Sequence, residues 1–403
     1  MIDYRTHCAI LIPTLTPGAP SSTASFIVGQ GGVSFAEAND RLPPSTANPH
    51  RATLKPDMSD QPDLLFQALK RILEARETLS REDSRALLHY ILDATQTPNP
   101  QLEIRIAALL GALTARGETT AELAGFVDAL RARATPVPLS DAERATLVDT
   151  CGTGGDLSGT FNISTAAALV AAAAGARVAK HGNRAVTSQS GSADVLEALG
   201  IPVALDPTQA AEALRRHNFA FLLAPSLQPS MRALLPIRKA LAIRTMFNIL
   251  GPMSNPAGAP AQVMGVYSAN LVPIVANTLA ALNTRHAFVV HGEMDEISIS
   301  GPTQTAEIRG SEVTFRTLTP SDFGLQSAPI ETLAGGNAHH NAEILTAIFA
   351  GEKGPRRDVV VINAAAVLIT ANLAKDFPSA ARLAERTIDS NKVTQLVIAL
   401  DQK

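Results

Sequence analysis

From residue 141 onward, short apolar runs alternate with longer Ala-rich stretches of helical period, and this alternation constrains the fold more than any other feature. Strand candidates are 147–149, 178–180, 219–223, 263–267 and 287–291, with helical stretches such as 165–174 and 193–199 between them. Strands that alternate with helices form βαβ units and a mostly parallel sheet. Such a sheet binds ligands beyond the carboxyl ends of its strands. Trp is absent and aromatics make up only 4% of the chain, so Ala, Leu, Val and Ile must build the core.

The N-terminal part reads differently. Residues 1–57 are dense in Pro, Ser, Thr and Gly without a sustained period, and are expected to be a disordered extension; alternatively the chain starts at Met58. Residues 58–138 read as a helical domain, with a contribution from 226–245. Leu64, Leu65, Ala68, Leu69, Ile72 and Leu73 lay one apolar stripe along a first helix. Ser80 before Glu82 and Asp83 starts a second, and a third stops near Gly117. Thr119 and Glu122 have capping-box spacing at the start of a fourth. The Pro136-Val137-Pro138 stretch marks a boundary, and 141–403 form the α/β domain.

The formal net charge of −3 gives no general attraction for polyanions, so a phosphorylated ligand must be caught by local geometry. Lys and Arg are scattered and aromatics few, which argues against a nucleic-acid-binding surface. Cys8 and Cys151 have no CxxC spacing and no Cys/His cluster around them, which fits a reducing cytoplasm. No apolar run reaches the ~18 residues that span a bilayer, so no membrane association is expected.

Four constellations carry chemistry. Gly152-Thr-Gly-Gly-Asp156 follows the first strand candidate, and Asn162-Ile163-Ser164-Thr165 opens an Ala-rich helix. These are either a tight turn with an ordinary N-cap, or backbone N–H groups presented to a phosphate. Lys180 to Ser188 leave the second strand; Lys180 offers a point charge, and Asn183 and Arg184 offer directed donors. His181 is either a ligand group or a satisfied core histidine, and Ser192 either caps the next helix or meets a phosphate oxygen. Asp295-Glu296 follow the last strand candidate and are either a solvated pair or a Mg²⁺ site. Finally, a cationic stretch runs through Arg232, Arg238 and Arg244 to a Gly251-Pro252 turn, from which an arginine could reach a carboxylate.

Taken in order, GTGGD, NIST, KHGNRAVTS and GSADVLEALG resemble the anthranilate phosphoribosyltransferase family of tryptophan biosynthesis, over roughly residues 63 to 400. The resemblance implies a small N-terminal α-helical domain beside a large α/β domain with a mostly parallel central sheet, of nucleoside phosphorylase/phosphoribosyltransferase type. It also implies a homodimer, with the active site at the hinge. The reaction would join the amine of anthranilate to C1 of phosphoribosyl pyrophosphate, releasing pyrophosphate. By the same resemblance, the donor would be held by Gly152, Gly155, Asp156, Thr160, Asn162, Ile163, Ser164 and Thr165. Lys180, His181, Gly182, Asn183, Arg184, Ala185, Val186, Thr187, Ser188 and Ser192 would complete that site. Ser164 and Glu296 would ligate one Mg²⁺, and Asp295 and Glu296 a second. Arg238 and Asn183 would orient anthranilate near Gly152 and His181, while Lys180 would stabilise the departing pyrophosphate.

Three departures from the family pattern bear on the acceptor. Gln228-Pro229 stands where the family usually has His-Pro, Ala242 replaces a usual glycine, and the loop from His291 to Asp295 is short. The alternatives are a related transferase with another aromatic acceptor, a pyrimidine nucleoside phosphorylase, and a non-catalytic relative that binds nucleic acid.

Overall fold

The computed structural model describes residues 63–97, 99–185 and 189–401. The expected extension 1–57 lies outside these, as do Val186, Thr187 and Ser188. The described residues begin with four helices, α1 (Leu64–Leu73), α2 (Arg81–Ala94), α3 (Pro100–Arg116) and α4 (Thr120–Arg133). Their starts follow the local chemistry. Ser80 accepts from the Asp83 N–H, and Thr119 and Glu122 form the reciprocal capping box that their spacing predicts. Glu122 is wholly buried, where it also takes the Leu79 N–H at 2.9 Å and pairs with Arg116 at 2.5 Å.

A single turn, α5 (Asp141–Arg144), leads into β1 (Leu147–Gly152), α6 (Ile163–Ala173), β2 (Arg177–Gly182), α7 (Ser192–Ala198), α8 (Pro207–His217) and β3 (Phe219–Leu223). Three short helices follow, α9 (Ala224–Leu227), α10 (Leu235–Leu241) and α11 (Met246–Met253). Next come β4 (Ala261–Gly265), α12 (Leu271–Ala281), β5 (His286–His291), β6 (Thr303–Arg309) and β7 (Glu312–Leu318). The chain closes with α13 (Ala338–Phe349), α14 (Pro355–Thr370), α15 (Phe377–Asp389) and α16 (Lys392–Asp401).

Among the described residues, seven strands form one sheet in the order β3-β2-β1-β4-β5-β6-β7. Strands β1 to β5 pair in parallel and coincide with the five expected from sequence. The hairpin β6–β7 extends the sheet antiparallel, an addition that the apolar runs did not announce. The chain leaves β1 toward β2 on one side, and β4 lies on the other, so strand order reverses between β1 and β4. Their carboxyl ends, Gly152 and Gly265, are register partners at that switch point.

On one face α14 is buried along almost its whole length, from Val359 to Thr370, and packs on α6. Each fully buried Val, Leu or Ile there stabilises the fold by roughly 1.5–3 kcal/mol relative to exposure. The other face has a different core. Leu88, Leu110 and Val127 of the helical segment share one apolar cluster with Leu234, Ile237 and Leu250 and with Val275 of α12 and Ala306 of β6. Arg81 reaches Ala281 O at 2.8 Å and Arg131 reaches Met253 O at 3.0 Å, which fixes α2 and α4 to the α/β part.

Candidate active site

The loop after β1 is shaped by what it must pass. A β-carbon on Gly152 would lie 2.0 Å from Asp295 Oδ2, and one on Gly265 only 1.4 Å from Asp295 O, so both strand ends must be glycine for Asp295 to sit between them. Thr153 N–H donates to Gly265 O at 3.0 Å, and Thr153 Oγ1 accepts from Tyr267 N–H at 2.9 Å. Gly154 and Gly155 then take positive φ, +65° and +75°. Arg244 donates to Gly155 O and stacks 4.5 Å over the Tyr267 ring, tying the segment before α11 to this loop.

Asp156, Asp295 and Glu296 converge, each offering a carboxylate oxygen within 4.8 Å of the others. The Asp295 carboxylate accepts the Gly154 N–H at 2.7 Å, and Asp156 accepts the Asp295 N–H at 3.3 Å. Glu296 Oε2 is buried and has no hydrogen-bond partner among the described residues. Burial, reinforced by the Asp156 charge, pushes the Asp295 carboxyl up to about 6. Burial, then the charges of Asp295 and Asp156, raises Glu296 well above the usual carboxylate range. Three crowded carboxylates with an orphaned oxygen fit a hard divalent cation, whose charge would keep them ionised. Asp156, expected at the donor, therefore stands beside the two acids expected at the metal.

Lys180 is buried beneath the site, donating to Thr150 O at 2.6 Å and lying 3.4 Å from Ser164 Oγ. Burial lowers its pKa, against the opposing charges of Asp149, Glu296 and Asp295. His181 is also buried; burial holds its imidazole down to about 4, so it is neutral at physiological pH. Its backbone N–H donates to Asp149, a buried carboxylate that also takes a 2.8 Å bond from Asn255. Neither Asp149 nor Asn255 was among the expected site residues. They touch each other across 106 positions of sequence, a pairing that local motifs cannot reveal.

Among the described residues no side chain caps α6. Asn162 holds the cap position but turns its amide sideways to Ser190 and Asn341, and Ile163 N–H is spent on Phe161 O at 2.7 Å, so the N–H groups of Ser164 and Thr165 are those that keep an anion-binding character. The hydroxyl of Thr165 is buried without a partner among the described residues. Thr160 lies in the loop leading to α6, with Oγ1 3.2 Å from Ser158 Oγ.

The loop after β2 divides. Gly182 passes over Phe221, where a β-carbon would come within 2.9 Å of the ring. Asn183 is exposed, with Oδ1 accepting the Arg184 N–H. The Arg184 guanidinium, read from sequence as a directed donor, is paired with Glu197 at 2.6 Å and Asp194 at 3.3 Å, which secures the loop to α7. Asp194 also takes the Ala185 and Gly191 N–H groups. Ser192 is the first residue of α7, beside Gly182.

Arg238 on α10 stacks 5.5 Å over Phe247, half-buried, with no ion pair among the described residues. Gln228 is buried and donates to Ser254 O at 2.7 Å. Ala242 caps α10 with left-handed φ of 51°.

Residues 144–393 match the family model described as the glycosyl transferase family a/b domain, and residues 66–134 the helical bundle domain of that family. The anthranilate phosphoribosyltransferase of Solibacter usitatus is 46% identical over 338 residues, covering 83% of this chain and 97% of its own. The chain belongs to the anthranilate phosphoribosyltransferase family. The Herpetosiphon aurantiacus member of the family is 47% identical over 79% of this chain and 93% of its own. The solved Thermus thermophilus enzyme superposes with a TM-score of 0.76 at 38% identity, over 84% of this chain and 98% of that one. The Saccharomyces cerevisiae enzyme, solved in complex with PRPP and Mg, gives a TM-score of 0.75 at 28% identity, over 83% and 96% of the two chains. The fold is the family's, a helical bundle joined to an α/β domain with a mostly parallel sheet. Membership sets aside the phosphorylase and nucleic-acid-binding alternatives.

Proposed function

We propose that this enzyme transfers the phosphoribosyl group of phosphoribosyl pyrophosphate to the amine of anthranilate, giving N-(5-phosphoribosyl)anthranilate and pyrophosphate for tryptophan biosynthesis. The observation that carries the reading is the convergence at the β1/β4 switch point of a glycine loop, the uncapped start of α6 and a three-carboxylate cluster.

In this reading the loop from Gly152 to Thr160 and the first turn of α6 bind the donor's phosphates through backbone N–H groups. Asp295 and Glu296, with Asp156 and Ser164, hold Mg²⁺, two ions per monomer; the metal supplies charge neutralisation for the pyrophosphate when bound. Lys180 adds a buried positive charge beneath the same position, so its contribution to the leaving group is electrostatic. The arylamine of anthranilate is neutral and nucleophilic at pH 7, so positioning carries the acceptor half. Arg238, already stacked and unpaired, offers its guanidinium to the anthranilate carboxylate. Neutral His181 and exposed Asn183 complete the acceptor side without adding charge.

The enzyme acts in the cytoplasm as a homodimer joined through the helical domain. Support for the dimer comes from Leu64, Phe66 and Leu73 on α1 and Ile104 on α3, which leave apolar side chains 38–70% exposed on that unit.

Anthranilate fluorescence tests the reading. It should fall on addition of phosphoribosyl pyrophosphate only when Mg²⁺ is present. Unchanged fluorescence with donor binding still measurable by calorimetry would retain the donor half and refute the acceptor.

A further inference from the structure

Residues 330–336 are stitched to the donor loop. Phe161 N–H donates to Leu333 O at 3.1 Å, Gly335 N–H to Gly159 O at 2.9 Å, and Thr160 pairs with Ala334 in an antiparallel bridge. Gly335 permits this approach, since a β-carbon there would lie 2.6 Å from Phe161 N. Arg356 holds the segment from behind through Thr332 O and Ala334 O, at 3.1 and 3.2 Å.

Asn341 completes the arrangement from α13, with 2% of its surface exposed. Its Oδ1 accepts the Gly336 N–H at 2.8 Å and its Nδ2 donates to Asn162 Oδ1 at 2.9 Å. Asn162 Nδ2 in turn donates to Ser190 O at 3.2 Å, while its Oδ1 also accepts from Ser190 Oγ at 3.2 Å. The two ends of an amide have the same shape, so only partners decide which way it points. Here both ends of the chain are backbone groups of fixed polarity. Gly336 N–H can only donate and Ser190 C=O can only accept. Reversing either asparagine would set donor against donor or acceptor against acceptor.

We infer that Asn341 is a positioning residue for the donor site: by fixing the amide of Asn162 it locks the start of α6 to the segment after β2. The same bonds draw the Asn162 side chain away from the cap of α6, leaving the first turn to the donor's phosphates. This inference rests on the donor-binding reading above.

The test uses the full-length enzyme with phosphoribosyl pyrophosphate and anthranilate. Asn341→Asp keeps the shape and the acceptor for Gly336, but when ionised it sets an oxygen against Asn162 Oδ1. Near pH 8 the donor KM should rise about tenfold or more, with anthranilate KM and melting temperature close to wild type. In acid the protonated side chain regains an O–H donor, so the ratio of variant to wild-type donor KM should fall back. The titratable groups of α13 are His339, His340 and Glu343; α7, which packs on it, adds Asp194 and Glu197, paired with Arg184, and α15 and α16 add Arg382, Glu385, Arg386, Asp389, Lys392 and Asp401. All are common to both proteins and cancel in that ratio.

Asn341→Ala removes both bonds without adding a charge and should raise donor KM at every pH, with no acid recovery. Wild-type donor KM in the Asp variant near pH 8, or equal recovery in both variants, overturns the inference. So does failure of both variants to fold, which assigns Asn341 to stability alone. A wild-type enzyme that binds no phosphoribosyl pyrophosphate by calorimetry refutes the underlying donor reading, and that result needs no variant.

Discussion

Gly152 at the end of β1 and Asp295 in the loop after β5 compete for one space: a β-carbon on the glycine would lie 2.0 Å from the Asp295 carboxylate. The first strand and the acidic loop after β5 are therefore fitted to each other before any ligand arrives. Gly152→Ala should push Asp295 off the Gly154 N–H and lower kcat/KM by about a hundredfold, the loss expected when site geometry shifts by an ångström. Steady-state assay with a melting curve checks it; near-normal activity would mean that Asp295 can be moved without consequence.

Glu296 carries the orphaned oxygen of the acidic cluster. Glu296→Gln should weaken Mg²⁺ activation by at least about tenfold, as loss of a carboxylate at a metal site does, with little change in melting temperature measured in chelator. Titration of activity against Mg²⁺ reads the shift directly.

The raised carboxyl of Asp295 predicts a pH-dependent stability with a definite sign. Its folded pKa of about 6 lies above the usual aspartate value. Between that usual value, ~3.9, and about 6, the unfolded chain has lost a proton that the folded metal-free protein retains. The stabilisation from this group is fully present below the unfolded pKa and is lost as pH rises through the folded one; the Glu296 shift has the same sign. Mg²⁺ binds the ionised forms, so the rise in Tm on adding Mg²⁺ should grow as pH increases through about 6. Scanning fluorimetry with and without Mg²⁺ would show it; a pH-independent increment would contradict the shared cluster.

Arg238 stacks on Phe247 and has no carboxylate partner among the described residues. Arg238→Ala should raise anthranilate KM at least about thirtyfold, the scale of a desolvated charge pair, and leave donor KM within about twofold. An unchanged acceptor KM removes Arg238 from that site.

Ala242 sits at φ 51° at the end of α10, a position that costs an L-residue roughly 1 kcal/mol. Ala242→Gly should relieve that strain, partly offset by the greater unfolded-state freedom of glycine. A gain in Tm of about 1–2 °C is expected for a chain of this size; a loss would show that the alanine methyl packs usefully.

The parallel strands and the first four helices were legible because their signals are local: apolar runs, Gly and Pro boundaries, and the Thr119–Glu122 box. The β6–β7 hairpin was not, since β7 is exposed at most positions and Phe315 is its lone aromatic. The glycine loop and the Asp295-Glu296 pair could be read, yet the joining of Asp156 to that pair required the fold to bring together residues 139 positions apart. Arg184 shows the same limit. Its partner Glu197 lies one loop away on α7, and sequence shows the cation without the acid that claims it. Asn341 gave no signal at all, being one more polar residue in a helix until its bond to Asn162 is seen.

The apolar cluster shared by α2–α4, α11, α12 and β6 has a consequence for how the molecule is assembled. A chain cut between Arg133 and Asp141 would separate the two segments that match family models, but the cut would pass beside a core that both sides complete. Leu88, Leu110 and Val127 would lose Leu250 and Val275, and neither fragment would keep a closed interior. The helical bundle and the sheet can be told apart by ancestry, while the chain folds them as one.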